Sequence, residues 1–416
     1  MSAVSSSVAS GSTAHASALA ELRSPLTIRA RCERVLEAGL AGQLAHFTVD
    51  LSKLHEVARR TARVTRERYP NLDIPAHSRF AHFDVGGVSR LAGLMRELAR
   101  HDPLEQARVL VDVVVTSVLL DAGAGAPWHY HEAATGQAIG RSEGLAVASL
   151  AWVKDGGLSS RGRAYEVDAG GLCAVTEDSL ARAFQVSPAN PLVGVAGRVH
   201  LMRELGRALA ARPDVFSREA RIGQLVDFLS ARAQSGELPA ALILETLLDS
   251  LASIWPGRLT LGGVPLGDVW QHPQAGGEGS TAGFLPLHKL SQWLSYSLLH
   301  PLRIAGLTVR DLDALTGLAE YRNGGLFVDL GVLTTRDPAA RTATHEVSSE
   351  LIVEWRALTV ALLDRVAPLV CAELGKALSL PSVLEGGTWA AGRELARELR
   401  ADAGPPLHIR SDGTVF

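Results

Sequence analysis

Cysteine is scarce in this chain. The three present, Cys32, Cys173 and Cys371, are odd in number and widely scattered, which argues against a disulfide framework and against a cysteine-based zinc site. They suit a reducing compartment, and the expected location is the cytoplasm. Positive charge is not in excess either: 41 Lys and Arg stand against 44 Asp and Glu, a formal net charge of -3. That balance supplies no field for tracking a phosphate backbone, so nucleic acid is not an expected partner. Membrane-length apolar runs are missing too. The most apolar stretch, Val109 to Leu120, is too short to cross a bilayer and carries Asp112, so it reads as a buried helix. Residues 1–17, rich in Ser and Ala, lack the basic-then-apolar order of an export signal and read as a loose tail.

What is present is core material. Hydrophobic residues make up 47% of the chain and charged residues 20%, enough to bury a large interior. Apolar residues recur mostly at helical spacing, as in Leu36, Leu40 and Leu44, or Ile352, Trp355, Leu358, Leu362 and Val366. Helices are predicted over Ser142–Lys154, Glu177–Phe184, Gly194–Ala211, Ile222–Ala233, Pro239–Leu251 and His288–Leu299, and Ser348 or Ser349 is placed to cap a last long one. Thr308 and Asp311 suggest a capped helix running to about Leu318, which Gly324-Gly325 would follow with a turn. The expected fold is mainly α with little β, one body over residues 18–416. Two lobes at about 18–261 and 284–416, joined by the Gly-rich loop 262–283, are its expected subdivision.

Several segments mix glycine, aromatic and charged residues in ways a core does not need. The Asp121-Ala122-Gly123-Ala124-Gly125-Ala126-Pro127 stretch must end a helix, and Trp128 and Tyr130 follow it. A carboxylate, a glycine loop and two rings suit a flat or sugar ligand, with Asp121 gripping hydroxyls and an aromatic ring stacked against it; ordinary packing at a helix end is the plainer account. His129 and His131 alone do not define a metal site, because a third ligand is not evident. Arg141, in Gly140-Arg141-Ser142-Glu143-Gly144 ahead of an apolar helix, could hold a phosphate with free amides, or stand on a solvated first turn. Neither that segment nor Gly123 and Gly125 has the spacing or context of a dinucleotide-binding loop, so no organic cofactor is expected.

Two further segments put charge amid apolar sequence: His288-Lys289-Leu290-Ser291-Gln292-Trp293 and Leu315-Thr316-Gly317-Leu318-Ala319-Glu320-Tyr321-Arg322-Asn323-Gly324-Gly325. Glu320 is expected to close an apolar helix, where the dipole disfavours an anion and a compensating partner is required. Lys289 is the obvious one, as a structural ion pair or a functional one. Glu354 and Arg356 lie two apart in the last long helix, so each needs a partner elsewhere. Glu385 to Arg393 and the terminal Ser411 to Phe416 stay without a role.

These motifs, together with Ile254-Trp255-Pro256-Gly257-Arg258, Gly267-Asp268-Val269-Trp270 and Leu384-Glu385-Gly386-Gly387-Thr388-Trp389, resemble a fungal and bacterial protein family implicated in uracil catabolism, over nearly the whole chain after about Phe80. The resemblance implies a route in which uracil becomes a nucleotide, its ring is opened, and a ribosylurea species yields urea. More distantly, the segment order resembles queuosine-salvage N-glycosylases, helical proteins related to helix-hairpin-helix DNA glycosylases. That second resemblance puts Glu320 at a catalytic acid position, with Asp121, Lys289, Tyr321, Arg322, Glu354 and Arg356 also falling on matching motifs. The Asn323-Gly324-Gly325 that follows departs from that pattern, so the base pocket must differ.

The resulting expectation is an N-glycosidic-bond hydrolase acting on N-ribosylurea 5'-phosphate. Glu320 would stabilise the sugar cation, Asp121 would contact the ribose or the leaving group, Trp128 or Tyr130 would stack, and Lys289 and Arg141 would hold the 5'-phosphate. One pocket gathering Asp121, Trp128, Lys289, Glu320 and Arg356 is expected. The alternatives are a metal-dependent amidohydrolase using His129, His131 and an acid, or a ligand-sensing partner without turnover.

Overall fold

The computed structural model describes residues 15–255 and 258–410, so the tail expected over 1–17 lies outside it up to residue 14, as does the terminal segment from Ser411. Residues 15–23 are helical. The fold is mainly α, with strands of two to four residues that pair only in twos. The chain forms two compact units, each assembled from separated stretches rather than from consecutive lobes. The first holds residues up to His77, Gly257–Gln292 and Leu312–Arg410; the second holds Ser78–Pro256 and Trp293–Asp311. The Gly-rich segment expected as a joining loop is therefore part of the first unit, where Val269–Gln271 pairs antiparallel with Phe284–Pro286.

In the first unit the helix Glu350–Leu374 is the central element, buried on nearly every side from Leu351 to Leu363, where Glu354, Arg356 and Thr359 interrupt an otherwise apolar sequence. Ser349 precedes it as expected but makes no side-chain cap, and Gly375 ends it in the left-handed region at φ +68°. The helices Pro25–Leu40 and Leu54–Arg68 pack on it, and Arg29 anchors the first through Asp364 at 2.7 Å. Glu354 is wholly buried here, its Oε1 accepting from the main-chain N–H of Phe47 at 2.8 Å and of His46 at 3.2 Å. Through this oxygen it holds the short strand Phe47–Val49.

The expected helix from Thr308 does not form. Thr308–Arg310 pairs instead as a parallel strand with Glu237–Pro239 in the second unit, Leu312–Ala314 is a single 3-10 turn, and the chain then runs without regular structure to Glu320. Gly324 and Gly325 do not turn the chain either, for they lie inside the helix Tyr321–Asp329. Space is the reason: a Cβ on Gly324 would sit 2.8 Å from the Trp355 indole and 2.7 Å from the Thr359 hydroxyl. Glycine lets this helix lie against Glu350–Leu374, a use of glycine that a local reading takes for a turn.

The second unit is built on Pro103–Leu119, the apolar run with Asp112. Asp102 caps it, accepting from Glu105 N at 2.9 Å, with Pro103 at the first helical position. Asp112 is buried and accepts from Arg221 Nε at 2.6 Å and Gly223 N at 2.7 Å, while burial pushes its carboxyl up to about 7. The other predicted helices fall within a few residues of their expected bounds, except that Ile222–Ala233 is a 3-10 turn, Ile222–Gln224, followed by the short helix Leu225–Ser230. Among the described residues no helix is long and apolar enough to cross a membrane.

Candidate active site

In the first unit the polar residues of three distant segments meet. Arg356, buried on the central helix, forks onto Asp268 with two bonds of 2.7 and 2.8 Å, and its Nε donates to the Ala319 carbonyl at 3.1 Å. Asp268 also accepts from the Trp270 indole at 2.6 Å and from Lys289 N at 2.9 Å. Burial opposes its charge, yet the guanidinium and these donors hold its carboxyl well below the usual carboxylate range. Its carbonyl oxygen takes the N–H groups of Leu287 and His288 at 3.0 and 3.2 Å. One residue thus clamps three successive amides at the start of the helix Lys289–Ile304. His288 pays a conformational penalty at that start, with φ +44°, a region non-glycine residues avoid. Its ring is buried against the Leu22 carbonyl at 3.0 Å, and burial pushes its pKa down to about 4.

Glu320 is on the other side of Ala319 from this clamp in sequence only by one residue, and it does not close a helix. It opens one: Glu320 is the N-cap of Tyr321–Asp329, with Oε2 accepting from Arg322 N at 2.8 Å and Oε1 from Asn323 N at 2.5 Å. Glu320 is therefore not a misplaced anion, because the dipole at an N-terminus favours the carboxylate. Burial nevertheless raises its pKa above the ordinary glutamate value, against the pull of Lys289 and the two amides. The result is a buried carboxylate, held by the two amides, on which half-buried Lys289 acts more strongly than Arg322 among the neighbouring cations. Tyr321 and Arg322 flank it, half-buried; Arg322 lies over the Tyr321 ring and donates to the Ala403 carbonyl at 2.8 Å.

Asp121 and Trp128 belong to the second unit. Asp121 receives the Ser142 hydroxyl on both oxygens, at 2.7 and 2.8 Å, and the guanidinium of fully buried Arg79 at 3.0 Å. Arg79 also donates to Ser117 and Ser142, each at 2.8 Å. The glycine stretch after Asp121 does end its helix, and Arg198 secures it by donating to the carbonyls of Leu120 at 3.2 Å and Ala122 at 2.6 Å. Trp128 corrects the stacking expectation: its side chain is fully buried, its indole donates to the Phe184 carbonyl at 2.9 Å, and it packs near the Phe184 ring. It is a core residue. Tyr130 is half-buried on the strand His129–Glu132, and Arg141 is exposed at φ +58° directly before Ser142.

His129 and His131 point from exposed positions of one strand, and the adjacent Glu132 is engaged by Arg90 at 2.5 and 2.8 Å. They gather no third ligand among the described residues. His272, Glu350 and Glu354 do come together, their ligand atoms within 4.8 Å of one another. The donor chemistry does not suit a cation, however. His272 Nδ1 accepts from Gln274 N at 3.1 Å, so a neutral ring carries its hydrogen on Nε2, which faces Glu354 Oε2 at 3.5 Å and offers a metal no lone pair. A surface cavity of about 780 Å³, lined by Arg29, Asp313, Asp364, Cys371 and Leu378 among others, includes none of the candidate site residues named from sequence.

The family described as "Protein of unknown function (DUF1688)" matches residues 21–416. The chain belongs to that family. "Uracil catabolism protein 4" of Lachancea kluyveri is 41% identical over 408 residues, covering 90% of this chain and 93% of that protein. "Protein urg3" of Schizosaccharomyces pombe is 41% identical over 413 residues, covering 96% of this chain and 99% of that protein. Neither relative's name speaks of a glycosylase, and the queuosine-salvage resemblance is without support from these matches, so a role for Glu320 in this DUF1688 protein rests on its surroundings.

Sequence reasoning missed three residues that hold these centres together. Asp268 was visible only as part of a motif, although a lone acid between Gly267 and Val269-Trp270 is a signal that some cation must meet it. Arg79 and Arg198 each sit among residues that fold into the interior, and an arginine in such a place needs an acceptor as much as Glu354 does.

Proposed function

We propose that the protein is a hydrolase of uracil catabolism that cleaves an N-glycosidic bond, releasing urea and ribose 5-phosphate from N-ribosylurea 5'-phosphate. The place in uracil catabolism is drawn from the name of the Lachancea kluyveri relative. The observation that carries the chemistry is Glu320, a buried carboxylate whose two oxygens are oriented by the first amides of a helix. As the bond to C1' breaks, positive charge grows on the sugar, and a preorganised carboxylate in a dry setting stabilises it far better than water does. The second lone pair of a carboxylate oxygen is also suited to orient the attacking water. Lys289 supplies a cation for the 5'-phosphate, and Arg356 with Asp268 fixes the start of its helix. The Asp121 centre of the second unit is a separate polar grouping on which the reading does not depend.

The test is incubation of purified protein with N-ribosylurea, its 5'-phosphate and uridine 5'-monophosphate, following urea and reducing sugar. Release of both from the phosphorylated ribosylurea is expected; release from none of the three would overturn the proposal. Activity is also expected to survive a chelator, since no step is routed through a metal. Loss with EDTA and recovery with zinc would point to amide hydrolysis instead. The acid limb of kcat/KM is expected above the ordinary glutamate range, because Glu320 must be ionised to act and burial raises its pKa. An acid limb at or below that range would assign the essential carboxylate elsewhere.

A further inference from the structure

Two buried amide side chains bonded to the 316–323 stretch that carries Glu320 have polar atoms that nothing in the described protein satisfies. Gln292 lies one turn after Lys289 and is fully buried; its Oε1 accepts from Thr316 N at 3.4 Å, while its Nε2 has no hydrogen-bond partner among the described residues. Asn323, on the helix that Glu320 caps, is 1% exposed; its Nδ2 donates to the Leu318 carbonyl at 3.4 Å, and its Oδ1 has no partner among the described residues. The orientation of both amides is fixed by the main chain. Flipping Gln292 would set an NH2 group against the Thr316 N–H, and flipping Asn323 would set a carbonyl against the Leu318 carbonyl. A donor and an acceptor are thus left over, on residues attached to the same 316–323 stretch that carries Glu320. Buried polar atoms without partners are costly and are rarely retained without a use.

We infer that Gln292 and Asn323 read the ureido leaving group, with Gln292 Nε2 donating to its carbonyl oxygen and Asn323 Oδ1 accepting from its N–H, an assignment that rests on the reading of Glu320 above. A donor and an acceptor without formal charge match a neutral –CO–NH– edge and not a phosphate or carboxylate. The pair also acts in the step itself. The C1'–N bond breaks with its electron pair going to the ureido nitrogen, water adds its oxygen to C1', and the proton lost by that water ends on urea. Charge that spreads from the nitrogen to the ureido oxygen as the bond breaks meets Gln292 Nε2.

The variants Gln292→Met and Asn323→Leu remove the unsatisfied atoms, together with the long 3.4 Å contacts to Thr316 N and the Leu318 carbonyl, and keep the size of each side chain. Melting temperature, kinetics on N-ribosylurea 5'-phosphate and saturation-transfer NMR with methylurea are measured for both and for the wild type. The expected result is a melting temperature that changes little, since the loss of a long main-chain contact offsets the removal of an unsatisfied atom, with kcat/KM lower by about 10- to 100-fold and loss of the methylurea signal seen with wild type. A lower melting temperature, with activity reduced only in proportion to folded protein, would overturn the inference. If wild type cleaves the ribosylurea and both variants retain its kinetics and its methylurea signal, the inference fails and the hydrolase reading stands. If wild type cleaves no ribosyl ureide but its methylurea signal is lost in the variants, the ureide site stands and the hydrolase reading fails.

Discussion

Replacing Glu320 with glutamine is expected to lower turnover about 100- to 1,000-fold, the loss typical of removing one preorganised electrostatic contact to a transition state. Stability should respond less, because two effects oppose each other. One carboxylate oxygen becomes an NH2 group facing a main-chain N–H, which weakens the cap by about 0.5–2 kcal/mol. Against this, the ionised carboxyl carries a burial cost that glutamine does not. The sign follows from its raised pKa: the folded state binds more protons than the unfolded one over the window from the ordinary glutamate value up to the folded value. Wild-type stability contributed by this group therefore falls as pH rises through that window, and the glutamine variant should lack that fall. Glu320→Asp keeps the charge and retracts it by one methylene, so it should retain more activity than Glu320→Gln. If both variants lose activity only as far as they unfold, Glu320 is a cap and nothing more.

The largest effect on stability is expected at Asp268. Asp268→Asn leaves Arg356, 1% exposed, without its carboxylate, and removing one partner of such a buried pair costs about 3–5 kcal/mol. The same change loosens the amide of Lys289, so residual folded protein should also bind a phosphorylated ligand less well. Replacing both partners by apolar residues, Asp268→Leu with Arg356→Met, removes the stranded charge and should recover much of the loss. Urea denaturation of the three variants checks this. A single substitution as mild as the double one would mean that the pair is not the clamp described here.

The helical class was legible because long apolar periodicity, as in Glu350–Leu374, depends on the nearest neighbours along the chain. The stretch from Thr308 to Gly325 was not, and each failure there has a tertiary cause. Thr308–Arg310 finds a strand partner some seventy residues upstream at Glu237–Pro239, which outweighs a local cap. Gly324 is explained by the Trp355 ring and not by its own backbone, and Glu320 changes from the end of one helix to the beginning of another because the helix before it is absent. Lys289 and Glu320 could be proposed as partners from charge alone. Asp268, which organises Lys289 and Arg356, could not be ranked above other acids until its bidentate geometry was seen. Trp128 shows the opposite error: an aromatic residue beside a glycine loop suits a ligand or a core equally well, and only its burial decides.

The most direct measurement follows N-ribosylurea 5'-phosphate labelled with carbon-13 at the ureido carbon, by NMR, as purified wild-type protein acts on it. Cleavage of the glycosidic bond leaves that carbon in urea, with ribose 5-phosphate as the other product and no ammonia formed. Appearance of the label in bicarbonate together with free ammonia would show that water attacks the carbonyl carbon, and would contradict the account.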